Sequence, residues 1–467
     1  MSLRRWAWAG VACALLAAAG LRAGLVVHRY YDTDELEHLH ASLLVARGNL
    51  PFRDFFEHHG PLFWAALAPV VDAPHDPVSK ALAGRMVLTL FWLAVLLLVA
   101  FPRRGADSLE GPLAAAWLAA FAAFAQKSLE IRPDVPGMFF VVTAAFVIAR
   151  PSRAAGPAAG ALLALALWCT PKAVFPAAGM ILAAAWKRLE KRGPNEAGRF
   201  LAEAALGAGA VAAAGCAYFA ARGGLGRLWS YYFLYNAGFP GARVSWSATL
   251  KPSLLTDPLA WVAGLWGLRR WRERPEAAGA LAASLAGLAV TPSAYSQHLL
   301  FVAPFLAGFA SAEILRWVRA APARGKGLFS RRGRGLMAAA ALGLSFAVPA
   351  AEAVRLIRYG NALQRERWRC ATALLPNAAP VWDSWSGDSF HRPHAAFLWF
   401  VPEDSQAYYE PAFLEAQFVE ALSAPRTRGA IRCESCLERL PRGVAMAFDR
   451  YFEPSGCGRL WLRKPGA

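Results

Sequence analysis

The sequence predicts a polytopic α-helical membrane protein that ends in a small α/β domain. Of its 467 residues, 57% are hydrophobic and only 18% are charged, whereas soluble globular proteins carry about 25% charged residues. Long apolar runs recur up to residue 351, and the composition after Glu352 changes to the mixed polar and apolar pattern of a soluble module. We therefore expect a membrane domain over residues 1–351 and an extracytoplasmic α/β domain over residues 352–467.

About eleven apolar runs are long enough, or nearly so, to cross a bilayer, which takes about 20 helical residues. The first run follows Arg4-Arg5, and we interpret it as an uncleaved anchor, with a cleaved signal peptide as the alternative. The shorter run Leu62–Val71 suits a helix that lies on the membrane surface. The predicted crossings are Trp6–Val27, Ala81–Phe101, Leu113–Gln126, Val135–Ala149, Pro157–Thr170, Ala173–Trp186, Ala204–Ala221, Pro258–Leu268, Ala277–Val290, Leu299–Val318 and Leu336–Ala350.

The basic residues predict the orientation of the chain in the membrane. The net charge of +18 needs no nucleic acid as partner, because every second loop is basic, as the positive-inside rule describes. We therefore expect a multi-pass protein of the inner (plasma) membrane with a cytoplasmic N-terminus and a periplasmic C-terminal domain. The predicted cytoplasmic loops carry Arg103-Arg104, Arg150 with Arg153, Lys187–Arg192, Arg269–Arg272 and Arg324–Arg334.

The first predicted outer loop, residues 28–80, concentrates acids and imidazoles at the membrane edge. If this segment is helical, Asp34 and His38 lie four residues apart on one face. Such a pair suits acid/base catalysis or metal binding, and a solvated loop is the alternative. The side chains that offer ligands for a divalent ion, or that pack without one, are His38, His40, Glu57, His58 and His59.

The other outer loops also hold residues capable of chemistry. Arg132-Pro133-Asp134 precedes the fourth crossing, Lys172 precedes the sixth, and Tyr295–His298 precedes the tenth. A charged group in mid-bilayer costs about 2.5 to 3.5 kcal/mol on insertion scales, so proteins hold such groups at the membrane edge or in cavities. We therefore expect one site at the outer face.

The C-terminal domain is predicted to mix short strands with helices. A helix opens at Pro411, because Leu414, Phe418 and Leu422 then fall on one face. Cys370, Cys433, Cys436 and Cys457 indicate disulfides in an oxidising compartment, in any of three pairings, and a zinc site is the weaker alternative. The predicted strands are Pro380–Asp383, Ala430–Cys433, Val444–Phe448 and Arg459–Arg463.

Five motifs occur in one order and on one predicted side. They are Asp34-Glu35, Pro51–His59, Arg132-Pro133-Asp134, Lys172, and Tyr295–Leu300 before Pro304. Together they resemble the C-type (GT-C) membrane glycosyltransferases, the group of protein O-mannosyltransferases and lipid A aminoarabinose transferases. The resemblance covers residues 1–320 and implies a GT-C-like fold. It also implies sugar transfer from a polyprenyl-phosphate donor to an extracytoplasmic hydroxyl of a lipid, glycan or protein, with inversion.

The resemblance implies roles for individual residues. Asp34 corresponds to the catalytic base, with Asp32 as a neighbouring alternative, and Glu35 or Asp134 would orient the acceptor. No nucleotide is required, and a divalent metal is left open. The predicted donor-phosphate ligands are Lys172, His298 and Arg132. The residues predicted to contact the acceptor or to order the loop are His38, Glu57, His58, His59 and Tyr295.

Two other functions are compatible with a polytopic chain. One is a transporter or flippase, and the other is a non-catalytic membrane protein that binds lipid-linked glycans. Each basic residue also has an ordinary interpretation at a membrane edge: Lys172 as a snorkelling side chain, His298 as an interface histidine, and Arg132 as a headgroup contact.

Overall fold

The computed structural model describes residues 3–73, 75–101, 107–150, 152–238, 244–321, 330–376 and 378–467. Arg103-Arg104 and most of the predicted basic loop Arg324–Arg334 lie outside these residues. The first helices are α1 (Leu3–His28), α2 (Thr33–Ala46), α3 (Pro61–Asp72), α4 (Pro77–Ala100), α5 (Glu110–Ala120), α6 (Ala122–Lys127), α7 (Asp134–Ile148) and α8 (Ala155–Cys169).

Helices continue through the middle of the chain and form most of the fold. A 3-10 turn, Pro171–Ala173, precedes α9, and another, Ser296–Phe301, precedes α16. The helices of this part are α9 (Val174–Arg192), α10 (Pro194–Ala221), α11 (Leu225–Leu228), α12 (Tyr235–Gly238), α13 (Trp246–Thr256), α14 (Pro258–Gly267), α15 (Pro275–Val290), α16 (Ala303–Arg319) and α17 (Arg331–Tyr359).

The predicted apolar runs coincide with helices, but not all of these helices are long. Among the described residues, four helical stretches are long and apolar enough to cross a membrane: Ala7–His28, Pro77–Ala100, Pro194–Ala221 and Arg331–Leu374. The remaining runs form shorter helices or helix pairs. A helical fold of membrane type is therefore present, and the total of eleven crossings stays a prediction.

Small residues let neighbouring helices approach closely. Gly179 of α9 and Gly279 of α15 face each other so tightly that a Cβ on Gly179 would lie 2.1 Å from the Gly279 carbonyl oxygen. Such contacts matter in a membrane because helix association there depends on packing rather than on exclusion of water. The small-residue surface thus fixes the α9–α15 pair, whose ends carry two of the outer segments.

Ion pairs join two of the predicted cytoplasmic loops to each other and one of them to the end of the tenth predicted crossing. Arg274 pairs with Glu110, and Arg269 pairs with Glu313 at 2.6 Å. These contacts bring the start of α5, the start of α15 and the end of α16 to one face of the helical bundle. The acids of the first outer segment do not take part in this set, which agrees with a division of the loops between two faces.

The C-terminal residues form a four-stranded sheet with helices around it. The strand order is β1-β2-β4-β3, with β1 parallel to β2 and the other pairs antiparallel. The strands are β1 (Val381–Trp382), β2 (Gly429–Ile431), β3 (Phe452–Cys457) and β4 (Leu460–Arg463). The helices are α18 (Ala362–Leu374), α19 (Glu403–Gln406), α20 (Pro411–Ser423), α21 (Glu434–Leu437) and α22 (Arg442–Tyr451).

One predicted strand of this region is wrong. Val444–Phe448 lies within helix α22, whose Val444, Ala447 and Phe448 are buried on one side. All five residues of Val444–Phe448 are apolar, and a short continuous apolar run fits a buried strand and a helix segment equally well. The predicted domain boundary at Glu352 falls inside α17, which continues to Tyr359. The division of the chain into two domains stays a prediction.

The C-terminal residues pack against the first outer segment. Trp399 donates its indole N–H to the Phe56 carbonyl at 3.1 Å, and the Phe56 N–H donates to the Phe397 carbonyl at 2.9 Å. His40 is bonded through Nδ1 to the Phe390 carbonyl at 2.7 Å. Two disulfides, Cys370–Cys457 and Cys433–Cys436, select one of the three predicted pairings.

Candidate active site

The site begins at the N-terminus of α2. Asp32 is the N-cap, and its carboxylate accepts the Asp34 N–H at 3.1 Å. Glu35 completes a capping box, since its Oε2 accepts the Asp32 N–H at 3.0 Å. Such reciprocal bonds satisfy amides that a helix start would otherwise leave unpaired. The sequence Asp-Thr-Asp-Glu therefore fixes Asp34 in the first turn of a helix rather than in a loop.

Glu35 is tied to α4 instead of facing an open surface. It is fully buried, and both carboxylate oxygens accept bonds from Arg85, at 2.9 and 2.7 Å. Arg85 also donates to the Arg29 carbonyl at 2.7 Å and lies over the Tyr31 ring. Glu35 thus exposes no surface and has both oxygens bonded to Arg85, and its part in orienting the acceptor stays a prediction.

Arg132 joins the acids into the arginine-bridged cluster, which consists of Asp32, Asp34, Glu130 and Arg132. Its guanidinium lies 2.5 Å from Asp34, 3.1 Å from Asp32 and 2.6 Å from Glu130. The Asp34 side chain is 36% exposed, while that of Arg132 is 8% exposed and that of Glu130 is buried. Asp32 and Asp34, with side chains 38% and 36% exposed, are thus the two open carboxylates of the cluster, and Arg132 and Glu130 form its buried part.

Glu130 carries the charge that keeps Arg132 in place. Burial alone would raise the pKa of the Glu130 carboxyl, but Arg132, Lys127 and Arg29 lower it below its usual range. Lys127 and Arg29 contact Glu130 at 2.8 and 2.6 Å. A buried carboxylate held by three cations stays ionised, because each nearby positive charge favours the charged form.

A second group of residues surrounds Lys172. Its ammonium lies 3.1 Å from Asp134, whose carboxylate also accepts the Thr170 hydroxyl at 3.2 Å. His298 lies in the same electrostatic neighbourhood, with Nδ1 bonded to the Tyr295 carbonyl at 3.0 Å. A carbonyl accepts, so Nδ1 carries the proton, and the buried Nε2 has no partner among the described residues.

Gly60 allows the first outer segment to reach this group. A Cβ at Gly60 would lie 2.1 Å from the Trp168 carbonyl oxygen, which is too close for any other residue. The Gly60 N–H donates to the Cys169 carbonyl at 3.1 Å. Because His58 and His59 directly precede this contact, they approach the end of α8 and the turn that carries Lys172.

Glu37, Glu57, His58 and His59 form the histidine cluster. One ligand atom from each lies within 4.8 Å of the others. Glu57 is 1% exposed, and its Oε1 has no hydrogen-bond partner in the described part of the chain. Two carboxylates and two imidazoles are ligands that suit divalent zinc or a similar ion. The residues therefore fit a metal, and the unpaired Oε1 is the observation that favours one.

Burial dominates the titration of the histidine cluster. It raises the pKa of Glu57 to about 8 and, together with repulsion from Glu57, raises the pKa of Glu37 well above its usual range. Burial and Lys172 lower the pKa of His58 to about 4, and burial and His58 lower that of His59. Without a metal, burial thus favours the protonated form of the two carboxyls and the neutral form of the two imidazoles.

The other two histidines that were predicted as possible metal ligands, His38 and His40, have packing roles in the structure. His38 is 1% exposed, accepts the Trp64 indole N–H at 3.2 Å and meets the His59 ring edge-on. Its burial against Phe63 and Trp64 places it away from an exposed face. His40 lies against Trp399, with ring centroids 4.1 Å apart. Neither is among the four clustered ligands.

The structure therefore brings most of the predicted residues together. Asp34 meets Arg132, and Asp134 meets Lys172 beside His298 and Tyr295. Sequence reasoning missed Glu37, Glu130 and Arg85. Arg85 stands alone in an otherwise apolar run, and a lone charge there signals a buried partner. Glu37 lies between Leu36 and His38 and gave no such signal.

Comparisons with known proteins bear on the fold. No family model and no curated protein matches this sequence. The apo structure of ArnT from Cupriavidus metallidurans is similar to it, with a TM-score of 0.67, 12% identity, and 99% of this chain and 98% of that chain covered. ArnT has the fold of the C-type glycosyltransferases.

Two further solved structures share this GT-C fold and hold lipid phosphates. One is ArnT from the same organism bound to undecaprenyl phosphate, with TM-score 0.60, 11% identity, and 94% of each chain covered. The other is the archaeal oligosaccharyltransferase AglB from Archaeoglobus fulgidus, in complex with an inhibitory peptide and a dolichol-phosphate. It has a TM-score of 0.55, 14% identity, and 99% of this chain and 74% of that chain covered. At such identities the similarity establishes the GT-C fold alone.

Proposed function

We propose that this GT-C chain transfers a sugar from a polyprenyl-phosphate donor to an extracytoplasmic hydroxyl. The observation that carries the proposal is the open carboxylate of Asp34, which is fixed by Arg132 next to a second group that contains Lys172 and His298. A base and cationic groups on neighbouring elements are what displacement at a sugar phosphate requires. The lipid phosphates bound to ArnT and AglB support a donor of this class.

Asp34 is the general base in this proposal. Its carboxylate removes the proton of the acceptor hydroxyl while the hydroxyl oxygen bonds to the anomeric carbon. The bond from that carbon to the phosphate oxygen breaks, and the lipid phosphate leaves with the electron pair. A single displacement of this kind inverts the anomeric centre. Asp32 is less suited to the role, because its carboxylate caps α2.

Lys172 and Arg132 supply positive charge to the departing phosphate. In the structure both are paired, Lys172 with Asp134 and Arg132 with three acids. Donor phosphate would therefore compete with Asp134 for the Lys172 ammonium, which is 20% exposed, whereas the more buried Arg132 mainly orients Asp34. His298 donates to a phosphate only after its Nε2 gains a proton, because Nδ1 already serves Tyr295.

The histidine cluster would support this chemistry if it held a divalent ion. Glu37, Glu57, His58 and His59 would be the ligands. The ion would supply positive charge near Asp34, which already interacts electrostatically with Glu57 and His58. The chain's own contribution is to keep these four side chains together and away from bulk water.

The orientation belongs to the proposal as well. We place the site and the C-terminal residues on the periplasmic face, because the basic predicted loops join at the other face. A single cysteine at Asn49 or Arg426, in a variant without Cys13, Cys169 and Cys216, should react with an impermeant reagent added outside spheroplasts. Reaction only after lysis would reverse the orientation and remove the site from an outer-leaflet donor.

Transfer can be tested with the purified full-length chain. A synthetic polyprenyl-phosphate sugar, labelled in the sugar, is added with envelope membranes from cells that lack the protein. We expect label to move into a product while polyprenyl phosphate appears in equal amount. Parallel proteoliposomes measure movement of the labelled donor between leaflets. Movement without any cleavage would identify a flippase, and binding without either change would identify a non-catalytic lipid-glycan receptor.

A further inference from the structure

A cavity of about 440 Å³ opens where α17 ends and α18 begins, next to the end of α1. It shares no lining residue with the arginine-bridged cluster, the histidine cluster or the Lys172 group. Its described lining contains four basic side chains and no carboxylate. Those four are His28, Arg358, Arg365 and Arg369.

The arginines of the cavity differ from their neighbours on the same helices. Arg355 of α17 pairs with Glu352 at 2.6 Å, and Arg367 of α18 pairs with Asp388 at 3.4 Å. Within the described residues, Arg358, Arg365 and Arg369 form no ion pair with a carboxylate. Arg365 donates to the Val27 carbonyl, and its Nε is buried without a partner in the described chain. The cavity therefore collects positive charge that the protein itself leaves unbalanced.

The start of α18 adds to this positive character. Asn361 is the N-cap, but its side chain donates to the Val27 and Arg29 carbonyls at 3.0 and 3.1 Å instead of capping the helix. The first N–H groups of this 13-residue helix thus lack a side-chain acceptor. Free amides and the helix dipole favour an anion at such a position. Asn361 and Ala362, at this helix start, both line the cavity.

The location of the cavity points to an amphipathic ligand. On the proposed orientation, it lies at the outer membrane edge, where the positive-inside rule predicts few arginines. Apolar side chains lie directly beside it: Val27 and Val354 are 37% and 42% exposed, and Ile357 lines the cavity wall. A soluble anion would leave this apolar surface unused, whereas a lipid fits both parts.

We propose that this cavity binds the phosphate headgroup of an anionic membrane lipid. The lipid phosphate accepts hydrogen bonds from the guanidinium groups of Arg358, Arg365 and Arg369, and an acyl chain follows the α1–α17 surface. The lipid site takes no part in sugar transfer. The proposed orientation decides only which leaflet supplies the lipid.

Lipid retention by the purified full-length protein tests the proposal. Native mass spectrometry would compare phosphatidylglycerol with phosphatidylcholine in the wild type and in the double variant Arg358→Gln/Arg369→Gln. Both arginines are exposed, so their replacement should not disturb folding. We expect phosphatidylglycerol binding to weaken about fivefold per arginine, hence about twenty-fivefold in the double variant. Phosphatidylcholine binding should change little.

Arg355→Gln is the matched control, because Arg355 lies one turn earlier on α17 and is paired with Glu352. It should leave phosphatidylglycerol affinity within about twofold of wild type, since the charge of Arg355 is already balanced. An equal loss in this control would mean that only general surface charge attracts the lipid. Displacement of phosphatidylglycerol by a modest concentration of inorganic phosphate would identify a site for a soluble phosphate group. Either result would overturn the proposal.

Discussion

Glu130 and Glu57 are both buried glutamates near the same segment, yet their pKa values shift in opposite directions. Glu130 contacts Arg132, Lys127 and Arg29, and these cations outweigh the effect of burial. Glu57 has a second carboxyl and two imidazoles as neighbours, and burial raises its pKa to about 8. Burial therefore does not decide protonation by itself, and the charge of the neighbours does.

This difference separates two kinds of chemistry within a few residues. The arginine-bridged cluster keeps its acids ionised and leaves the Asp34 carboxylate 36% exposed, as a base requires. The histidine cluster buries its two carboxyls with two imidazoles and includes no lysine or arginine. Such a group suits a pair of protonated carboxyls or a metal site. Four experiments test this contrast.

The largest expected effect follows removal of the Asp34 charge. Asp34→Asn keeps the shape of the side chain but removes the proposed base, so sugar transfer should fall by about two to four orders of magnitude. Transfer from a synthetic polyprenyl-phosphate sugar is the measurement. Asp32→Asn is the control, and it should cost far less because Asn also caps helices. An inactive Asp32 variant beside an active Asp34 variant would move the base to Asp32, and activity in both would make Asp134 the next candidate.

Removal of the Lys172 charge should have the next largest effect. Lys172→Ala deletes one donor to the departing phosphate, and such a loss costs about 3 kcal/mol, or about two orders of magnitude in rate. Lys127→Ala is the comparison, since Lys127 contacts the arginine-bridged cluster only through Glu130. We expect it to reduce turnover much less. Equal rates for wild type and Lys172→Ala, at equal expression, would show that Lys172 only snorkels at the membrane edge.

Zinc should distinguish the two clusters by stability. With zinc at about 100 times its dissociation constant, bound metal adds about 2.7 kcal/mol and raises the melting temperature of chelator-treated protein. The paired replacement Glu57→Gln/His59→Ala should abolish this rise because it removes two ligands. His75→Ala, a change at an exposed histidine outside the cluster, should retain it. No rise in the wild type would leave the cluster as a proton-sharing pair.

The smallest expected effect is a change in the pH dependence of stability without metal. The folded-state pKa of Glu57, about 8, lies above its usual value. Its protonated form therefore contributes stability that is complete below about pH 4.3, the unfolded value, and is lost as pH rises through about 8. Glu57→Gln should flatten thermal stability across this window, because the amide carries no charge. An exposed substitution, Glu366→Gln, should not, and an unchanged slope in Glu57→Gln would contradict the pKa assignment.

Much of the fold could be predicted because it rests on local patterns. The apolar runs coincide with helices, and the acid after the first run lies in a helix start, since Asp32-Thr33-Asp34-Glu35 is a capping sequence. The shared side of the motifs predicted that they would form one site, and Asp34 does contact Arg132. These inferences needed only the apolar periodicity, the capping residues and the alternation of basic and acidic loops, and all three can be read from the sequence.

The partners of each charge could not be predicted in the same way. The resemblance offered Glu35 as a residue that orients the acceptor, but the sequence did not indicate that Arg85, fifty residues later, bonds to both of its oxygens. Glu57 lies beside Glu37 in a loop that Gly60 allows to pack against the end of α8. Such contacts depend on tertiary packing over long separations, and residue types alone do not specify them.

The contact between Trp399 and Phe56 has a consequence for how the protein is made. The two residues are 343 positions apart. At a synthesis rate of about 5 to 20 residues per second, the segment that carries the acids waits about 20 to 70 seconds for its packing partner. The first outer segment is thus among the earliest parts to leave the ribosome and among the last to be finished. A ribosome that stops before Phe397 would release a chain with every proposed site residue but without the surface that orders them.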